Sequence, residues 1–473
     1  MYAPRFFRGF GAGAGGRGAR GARAGGGEGG KARTRLALGR KMHASFGAGS
    51  RSSRPDHVPR SASLEEADGL ITRFTNCRIL RDHELRREDL WVRDGVIVDP
   101  QSLFWEGCSA GATIDCGGRI IAPGYIDVQL NGAFGIDFST PSDLPHGLEK
   151  VCKGMLSCGV TAFLPTVITS SPADYRAILP NLVTRVGSAS TGASALGIHL
   201  EGPFLSLEKI GCHPPQHQRV PDGKPDALRR ACGDHLAHVR MVTVAPEAAG
   251  ARTLVAEMLA MGMVVSAGHS MASSAQMEEA QRWGVTMCTH LFNAMLPLDP
   301  QEPGIVGVLG SATRPHPFFG IIADGIHVHP SSLKIAHAAR PASLVLVSDQ
   351  MAAMGLPDGQ HRLGEAVVEV VGDRAYRQGT QTLAGAVVPL NECVRRFARF
   401  CDCGAVAAIE AATLHPAQCL GIEASKGTLR VGADADLVLL DDELRVRRTY
   451  VAGKLGWAAE GEERQVLRIP RLP

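Results

Sequence analysis

Eight short apolar runs, spread through the middle of the chain and each followed by polar or turn-forming residues, limit the folds open to it. They are Tyr125–Leu130, Val160–Pro165, Ala195–Leu200, Val239–Val244, Met263–Ala267, Val285–Thr289, Phe318–Ala323 and Leu344–Ser348. Short, nearly continuous hydrophobic runs read as strands buried on both faces, the environment of a parallel sheet covered by helices. Helix-like stretches such as TLVAEMLAMG and SAQMEEAQRWG fall between them. Eight β/α repeats predict an α/β fold of the TIM (β/α)8 barrel type, whose active sites lie at the C-terminal ends of the strands. A doubly wound open sheet is the competing architecture. It is disfavoured because no G-x-G-x-x-G follows an early strand, and because polar residues recur at almost every strand end.

Both flanks of this region carry a different pattern. LITRFTNCRIL, DLWVRDGVIVD and ATIDCGGRIIA precede it, and GADADLVLLDD and RRTYVAGKL follow it, each punctuated by Gly, Asp or Pro. They predict a small antiparallel unit, a β-sandwich assembled discontinuously from both ends of the chain. The expected division is a Gly/Arg-rich disordered tail at 1–66, an N-terminal sandwich segment at 67–122, the barrel at 123–430, and a C-terminal sandwich segment and tail at 431–473. The stretch 1–66 has no apolar period. Its Arg-rich, acid-poor composition also matches a mitochondrial transit peptide, but the glycine run behind MYAPRFFRGF argues against a good helix, and Met42 is a plausible alternative start.

Charge and cysteine usage narrow the function classes. Residues 1–60 hold thirteen of the 50 Lys and Arg but two of the 47 Asp and Glu, so the body of the chain is mildly acidic despite the net +3. A nucleic-acid partner has no support. No run approaches the ~20 apolar residues of a membrane span. The twelve cysteines lack a C-x-x-C pair, and Cys152, Cys158 and Cys288 lie in apolar runs, which predicts reduced, buried thiols and a cytoplasmic setting.

The strand ends carry the chemistry. Strand three ends in Glu201-Gly202-Pro203, strand five in His269 and strand six in His290. Strand seven runs into Asp324-Gly325-Ile326-His327, strand eight ends in Asp349, and His213 follows Glu201 in a Gly/Pro-rich loop. A lone His at a strand end is more often a hydrogen-bonded structural residue, a lone Glu a helix cap and a lone Asp a turn residue. On one rim, however, Glu201, His269 and His290 make a three-ligand divalent site with a position open to water. Asp349 beside that water is placed to act as general base. His235, His238, His316, His337 and His361 lack this placement and read as surface or structural. Cys212 reads as filler, and His415-Pro416 as a helix interruption.

The segments PGYIDVQLNGAFGIDFS, HLEGPFLS with GCHPP, TVAPE, SAGHS, THLFNAM, GIIADGIHV, LVSDQMAAMG and LHPAQCLGIEASKGTLRVGADADLVLLD resemble the amidohydrolase superfamily, and closely the N-acetylglucosamine-6-phosphate deacetylases. The likeness runs in order over about residues 71–457. It implies that Glu201, His269 and His290 bind one divalent ion, with Zn²⁺ expected and Fe²⁺, Co²⁺ or Mn²⁺ able to use the same ligands. Gln129-Leu130-Asn131 stands where many superfamily members carry His-x-His, which implies a single metal. The resemblance assigns Asp349 as the acid/base and His213 as the group polarising the acetyl carbonyl. It brings Asn293, Ala294 and His327 to the sugar phosphate, places Gln129 in the pocket lining, and implies a homodimer.

Two positions depart from the family pattern. Gln301 stands where an Arg usually reaches the phosphate of a neighbouring subunit's substrate, a contact that Arg314 could replace. Ala386 stands where a Ser usually follows Gly385. The expected reaction is deacetylation of a phosphorylated N-acetyl amino sugar in amino-sugar recycling. The rivals are a deacetylase of another N-acetylated sugar, which Gln301 favours, and a catalytically silent barrel, against which the intact charged rim speaks.

Overall fold

All eight apolar runs form parallel strands, in a computed structural model that describes residues 70–462 and 466–467. The barrel strands are β1 (Tyr125–Leu130), β2 (Val160–Ile168), β3 (Ile198–Glu201), β4 (Val239–Val244), β5 (Val264–Ala267), β6 (Met287–Cys288), β7 (Phe318–Ile321) and β8 (Leu344–Leu346). Each pairs in parallel with the next, from β1·β2 round to β7·β8. Between β8 and β1 there is no ladder. The ring closes at the upper rim instead, where the Asp349 amide donates to Gln129 O (3.0 Å) and the Asn131 amide to Gln350 O (2.8 Å).

Helices cover the outside of the ring. Ser274–Trp283 shows why such a segment is helical: Ser273 and Gln276 form a reciprocal capping box, Gly284 ends the helix at φ 110°, and Met277 and Ala280 turn inward. Ile198 and Leu200 pack with these helices in the main apolar cluster. Side-chain alternation then turns His199 and Glu201 the other way, into the ring. There His199 Nε2 meets Thr243 Oγ1 (2.8 Å), and Thr289 Oγ1 lies 2.7 Å from Thr243 Oγ1 and 2.6 Å from Ser266 Oγ. This hydrogen-bonded layer links strands β3 to β6. Burial pushes the His199 imidazole down to about 4, so it stays neutral in the layer.

The flanking segments build two sheets. One runs Val466–Leu467, Ala112–Asp115, Ile71–Thr75, Leu90–Arg93, Val96–Ile97. The other runs Lys454–Ala458, Val446–Val451, Leu437–Leu440, Ile120–Pro123, Arg78–Arg81, Glu84–Arg86. Phe74, Ile79, Leu90, Ile121, Leu437, Leu439 and Tyr450 share one core drawn from both ends of the chain. The expected antiparallel pattern needs correction. Ile71–Thr75 pairs in parallel with Ala112–Asp115, and Arg78–Arg81 with Ile120–Pro123. The intervening chain, including the helix Pro100–Trp105, is long enough for the crossover that parallel pairing needs.

Three further points differ from or fall outside the sequence reading. A three-stranded antiparallel sheet, Gly359–Leu363, Ala366–Val371 and Arg374–Arg377, stands between β8 and the helix Leu390–Cys401. His415 and Pro416 open the helix Leu414–Leu420 rather than interrupt one, because Pro is tolerated in a first turn. The 1–66 tail and the residues beyond Leu467 lie outside the described residues. Cys152, Cys158 and Cys288 are buried and unpaired, and no helix among the described residues is long and apolar enough to cross a membrane.

Candidate active site

At the C-terminal rim, Glu201, His269 and His290 converge. His269 Nε2 lies 3.1 Å and His290 Nε2 3.0 Å from Glu201 Oε1, and the two imidazole nitrogens are 3.0 Å apart. All three side chains are nearly inaccessible. Two of the three sit on backbone that L-residues avoid, with φ of 48° at His269 and 29° at His290, and Asp349 shares the feature at 49°. Non-glycine residues in the left-handed region are strained and cluster at functional sites.

Hydrogen bonds fix what each nitrogen offers. His269 Nδ1 donates to Lys209 O (2.8 Å), since a carbonyl can only accept. In the neutral ring Nε2 therefore presents a lone pair toward a carboxylate oxygen, an arrangement that calls for a cation between them. Three donor atoms at such mutual spacing suit one ion bound at ~2.0–2.2 Å. The residues present thus fit a divalent metal, and His₂Glu is a set that divalent transition metals accept.

His213 also stands here, its donor atoms within 4.8 Å of those of Glu201 and His269. Its Nε2 is 3.9 Å from Glu201 Oε2, farther than either other histidine is from Oε1. Its Nδ1 accepts from the Thr169 amide (3.2 Å), so Nε2 carries the proton. Burial pushes the imidazole down to about 3. In that tautomer His213 offers a hydrogen-bond donor at Nε2, while His269 and His290 stand nearer to Glu201.

Asp349 Oδ1 accepts from Asn131 Nδ2 (2.8 Å) and Gln129 Nε2 (3.1 Å), and Gln129 Nε2 also reaches Glu201 Oε1 (3.0 Å). Both amides are spent on Oδ1, which leaves Oδ2 for proton transfer. Burial, reinforced by the Glu201 charge, pushes the Asp349 carboxyl up to about 6, in the range useful for a base at neutral pH.

A cavity of about 320 Å³ opens over this cluster. Asn293, Ala294 and His327 line it, together with His213 and Asp349. His290, Phe292 and Ala294 have positive φ at alternate positions (29°, 78° and 48°). Alternating backbone of this kind aims successive amides into one concavity and suits an anion.

Residues 120–456 match the sequence profile of the Amidohydrolase family. The chain belongs to that family. This amidohydrolase is 50% identical over 406 residues to N-acetylglucosamine-6-phosphate deacetylase of Danio rerio, covering 85% of this chain and all of that one. It is 49% identical to the enzyme of the same name from Homo sapiens, over 83% of this chain and 97% of the relative. A variant of N-acetyl-D-glucosamine-6-phosphate deacetylase from Mycobacterium smegmatis, solved in complex with N-acetyl-D-glucosamine-6-phosphate, superposes with a TM-score of 0.71 at 29% identity. The match covers 82% of this chain and 100% of that one.

Some residues of this amidohydrolase lie elsewhere than the sequence suggests. Gln129, expected in the pocket lining, meets the site through two residues that line the cavity: its amide bridges Glu201 and Asp349. Asn131 lines the cavity in its place. Gln301 and Arg314 are exposed, as a contact to a neighbouring subunit would need, whereas Ala386 lies in the apolar cluster of Ile126, Val345 and Val347 rather than at the cavity wall. Sequence reading missed two contributors to the site: Thr169, which sets the His213 tautomer, and Lys209, which sets that of His269 and lines the cavity. Asp324, placed at the end of strand seven by the sequence but given no role there, pairs with His327.

Proposed function

We propose that the chain hydrolyses the acetamide of N-acetyl-D-glucosamine 6-phosphate to D-glucosamine 6-phosphate and acetate. The observation that carries this reading is the convergence of Glu201, His269 and His290 beneath a cavity that also holds Asp349 and His213. Half-identity to deacetylases of that name over nearly their whole length supports the substrate.

Glu201, His269 and His290 would hold one divalent ion, with Zn²⁺ favoured by two imidazoles and a carboxylate, and Fe²⁺, Co²⁺ or Mn²⁺ able to replace it. A bound ion supplies Lewis acidity, which polarises a carbonyl and acidifies water. Gln129 and Asn131 direct N–H groups at the carboxylates where a second ion would otherwise sit, so the site is mononuclear.

His213 Nε2–H donates to the acetyl oxygen as negative charge develops there, a contact worth ~3 kcal/mol in comparable sites. Asp349 Oδ2 takes the proton of the attacking water and passes it to the amine nitrogen as the C–N bond breaks. Gln129 and Asn131 keep Oδ1 occupied, so the same oxygen serves both steps. Asn293, the Ala294 amide and His327 hold the phosphate and fix the amide over the reacting groups. The experiment is an acetate-release assay on N-acetyl-D-glucosamine 6-phosphate with and without a chelator.

A second reading keeps the chemistry and changes the sugar. Gln301 favours it, because a neutral amide cannot replace a bidentate guanidinium contact. Rates on phosphorylated and plain N-acetylglucosamine separate the two. We also propose a homodimer in a reducing, cytoplasmic setting, which twelve unpaired cysteines suit. Light scattering tests the assembly.

A further inference from the structure

We propose that Asp324 is a positioning residue that sets the protonation pattern of the His327 ring, and through it the enzyme's preference for a phosphorylated sugar. This rests on the deacetylase reading above. Asp324 lies three residues beyond the end of β7, with its side chain fully buried. Its Oδ1 accepts the amides of Ile326 and His327, both at 2.8 Å, and its Oδ2 lies 2.6 Å from His327 Nδ1. Its own carbonyl accepts from Arg396 Nη1 (2.8 Å). Gly325 turns the chain at φ 74°, and a Cβ there would stand 3.0 Å from the Phe400 ring, so the turn has little room to relax.

A carboxylate only accepts, so Nδ1 of His327 must carry a proton. Nε2 is then the nitrogen left for the cavity that His327 lines. Phosphate oxygens of a bound monoester also accept. Both ring nitrogens therefore need protons at once, and His327 meets the phosphate as an imidazolium whose charge Asp324 balances from behind. Charge-assisted bonds on both sides are about twice as strong as neutral ones. A sugar hydroxyl in place of the phosphate can donate to a neutral Nε2 and gains nothing from the carboxylate. Asp324 thus raises affinity for the phosphorylated substrate selectively. Consistent with this pairing, its carboxyl is held below the usual range: burial alone would raise it, but the His327 hydrogen bond and charge outweigh that.

The test compares kcat/KM on N-acetyl-D-glucosamine 6-phosphate and on plain N-acetyl-D-glucosamine. It uses metal-loaded wild type, Asp324→Asn, His327→Asn and the double variant. Asn keeps an oxygen for the two turn amides but offers an N–H to Nδ1, which leaves the ring neutral. Asp324→Asn should lower kcat/KM on the phosphorylated sugar about tenfold more than on the plain sugar, through KM. The double variant should match His327→Asn alone, because one residue acts through the other. An unchanged preference, an equal fall on both substrates, or additive losses would overturn the assignment. Nitrogen-15 spectra of the zinc-loaded wild type, labelled at histidine and saturated with D-glucosamine 6-phosphate, give a readout that needs no variant. Both His327 ring nitrogens should be protonated, and a bare nitrogen contradicts the proposal. A wild type that releases no acetate from the phosphorylated sugar overturns the deacetylase reading and this assignment together. A selective wild type whose selectivity survives Asp324→Asn overturns this assignment alone.

Discussion

His269 Nε2 and His290 Nε2 lie 3.0 Å apart, each within 3.1 Å of the same oxygen of Glu201. With His269 Nδ1 committed to the Lys209 carbonyl, a lone pair and a carboxylate face each other in a buried site, and a cation relieves both. Chelation should therefore abolish acetate release, and Zn²⁺ or Co²⁺ should restore it. The same ion stabilises the fold: at a hundred times its dissociation constant a ligand adds ~2.7 kcal/mol. A melting temperature that does not fall on chelation would count against the site.

His213 should separate from the ligands by kinetics. Its proton sits on Nε2, so it can donate to an oxyanion but cannot coordinate without losing that proton. His213→Asn should lower kcat by about 10²–10³ while the metal content stays at one ion per chain. Loss of the metal together with activity would make His213 a ligand instead.

Asp349 predicts the acid limb of the pH profile. Its carboxyl is pushed up to about 6 by burial and then by the Glu201 charge, and the base form is the active one. As pH falls through that value the carboxyl protonates, and kcat/KM should drop with unit slope. A bound cation offsets the Glu201 charge, so the limb should lie at or below about 6. A limb near 8 would point to a different group.

The barrel was legible because its strands are buried on both faces. Runs such as Tyr125–Leu130 and Val239–Val244 are continuous enough in sequence to match the strand bounds. Each tip residue was legible for the same reason, as the first polar group after such a run. Contacts made across the fold were not. Gln129 and Asn131 both turn their amides onto Asp349 Oδ1, a convergence set by the β1–β8 seam rather than by local pattern. The parallel pairs of the sandwich were hidden likewise, because DLWVRDGVIVD reads as a hairpin whichever neighbours flank it. Thr169 and Lys209 carry no signal at all, since one contributes a backbone amide and the other a carbonyl.

Lys426 links the C-terminal segment to the barrel's edge. Its ammonium lies 2.6 Å from Asp436 and 3.0 Å from Asp434, and is largely buried. Lys426→Met should cost ~3–5 kcal/mol, because it strands a buried carboxylate without its cation. Denaturant unfolding of the two proteins measures the difference, and a change below ~1 kcal/mol would show that the pair is not buried in solution.

The most direct measurement is acetate release from N-acetyl-D-glucosamine 6-phosphate by Asp349→Asn, with bound metal counted in the same sample. Asn leaves Glu201, His269 and His290 untouched but cannot accept a proton from water. We expect one ion per chain and a rate at least ~10²-fold below wild type. Turnover near the wild-type rate with the ion in place would contradict the assignment of Asp349 as the group that moves the proton.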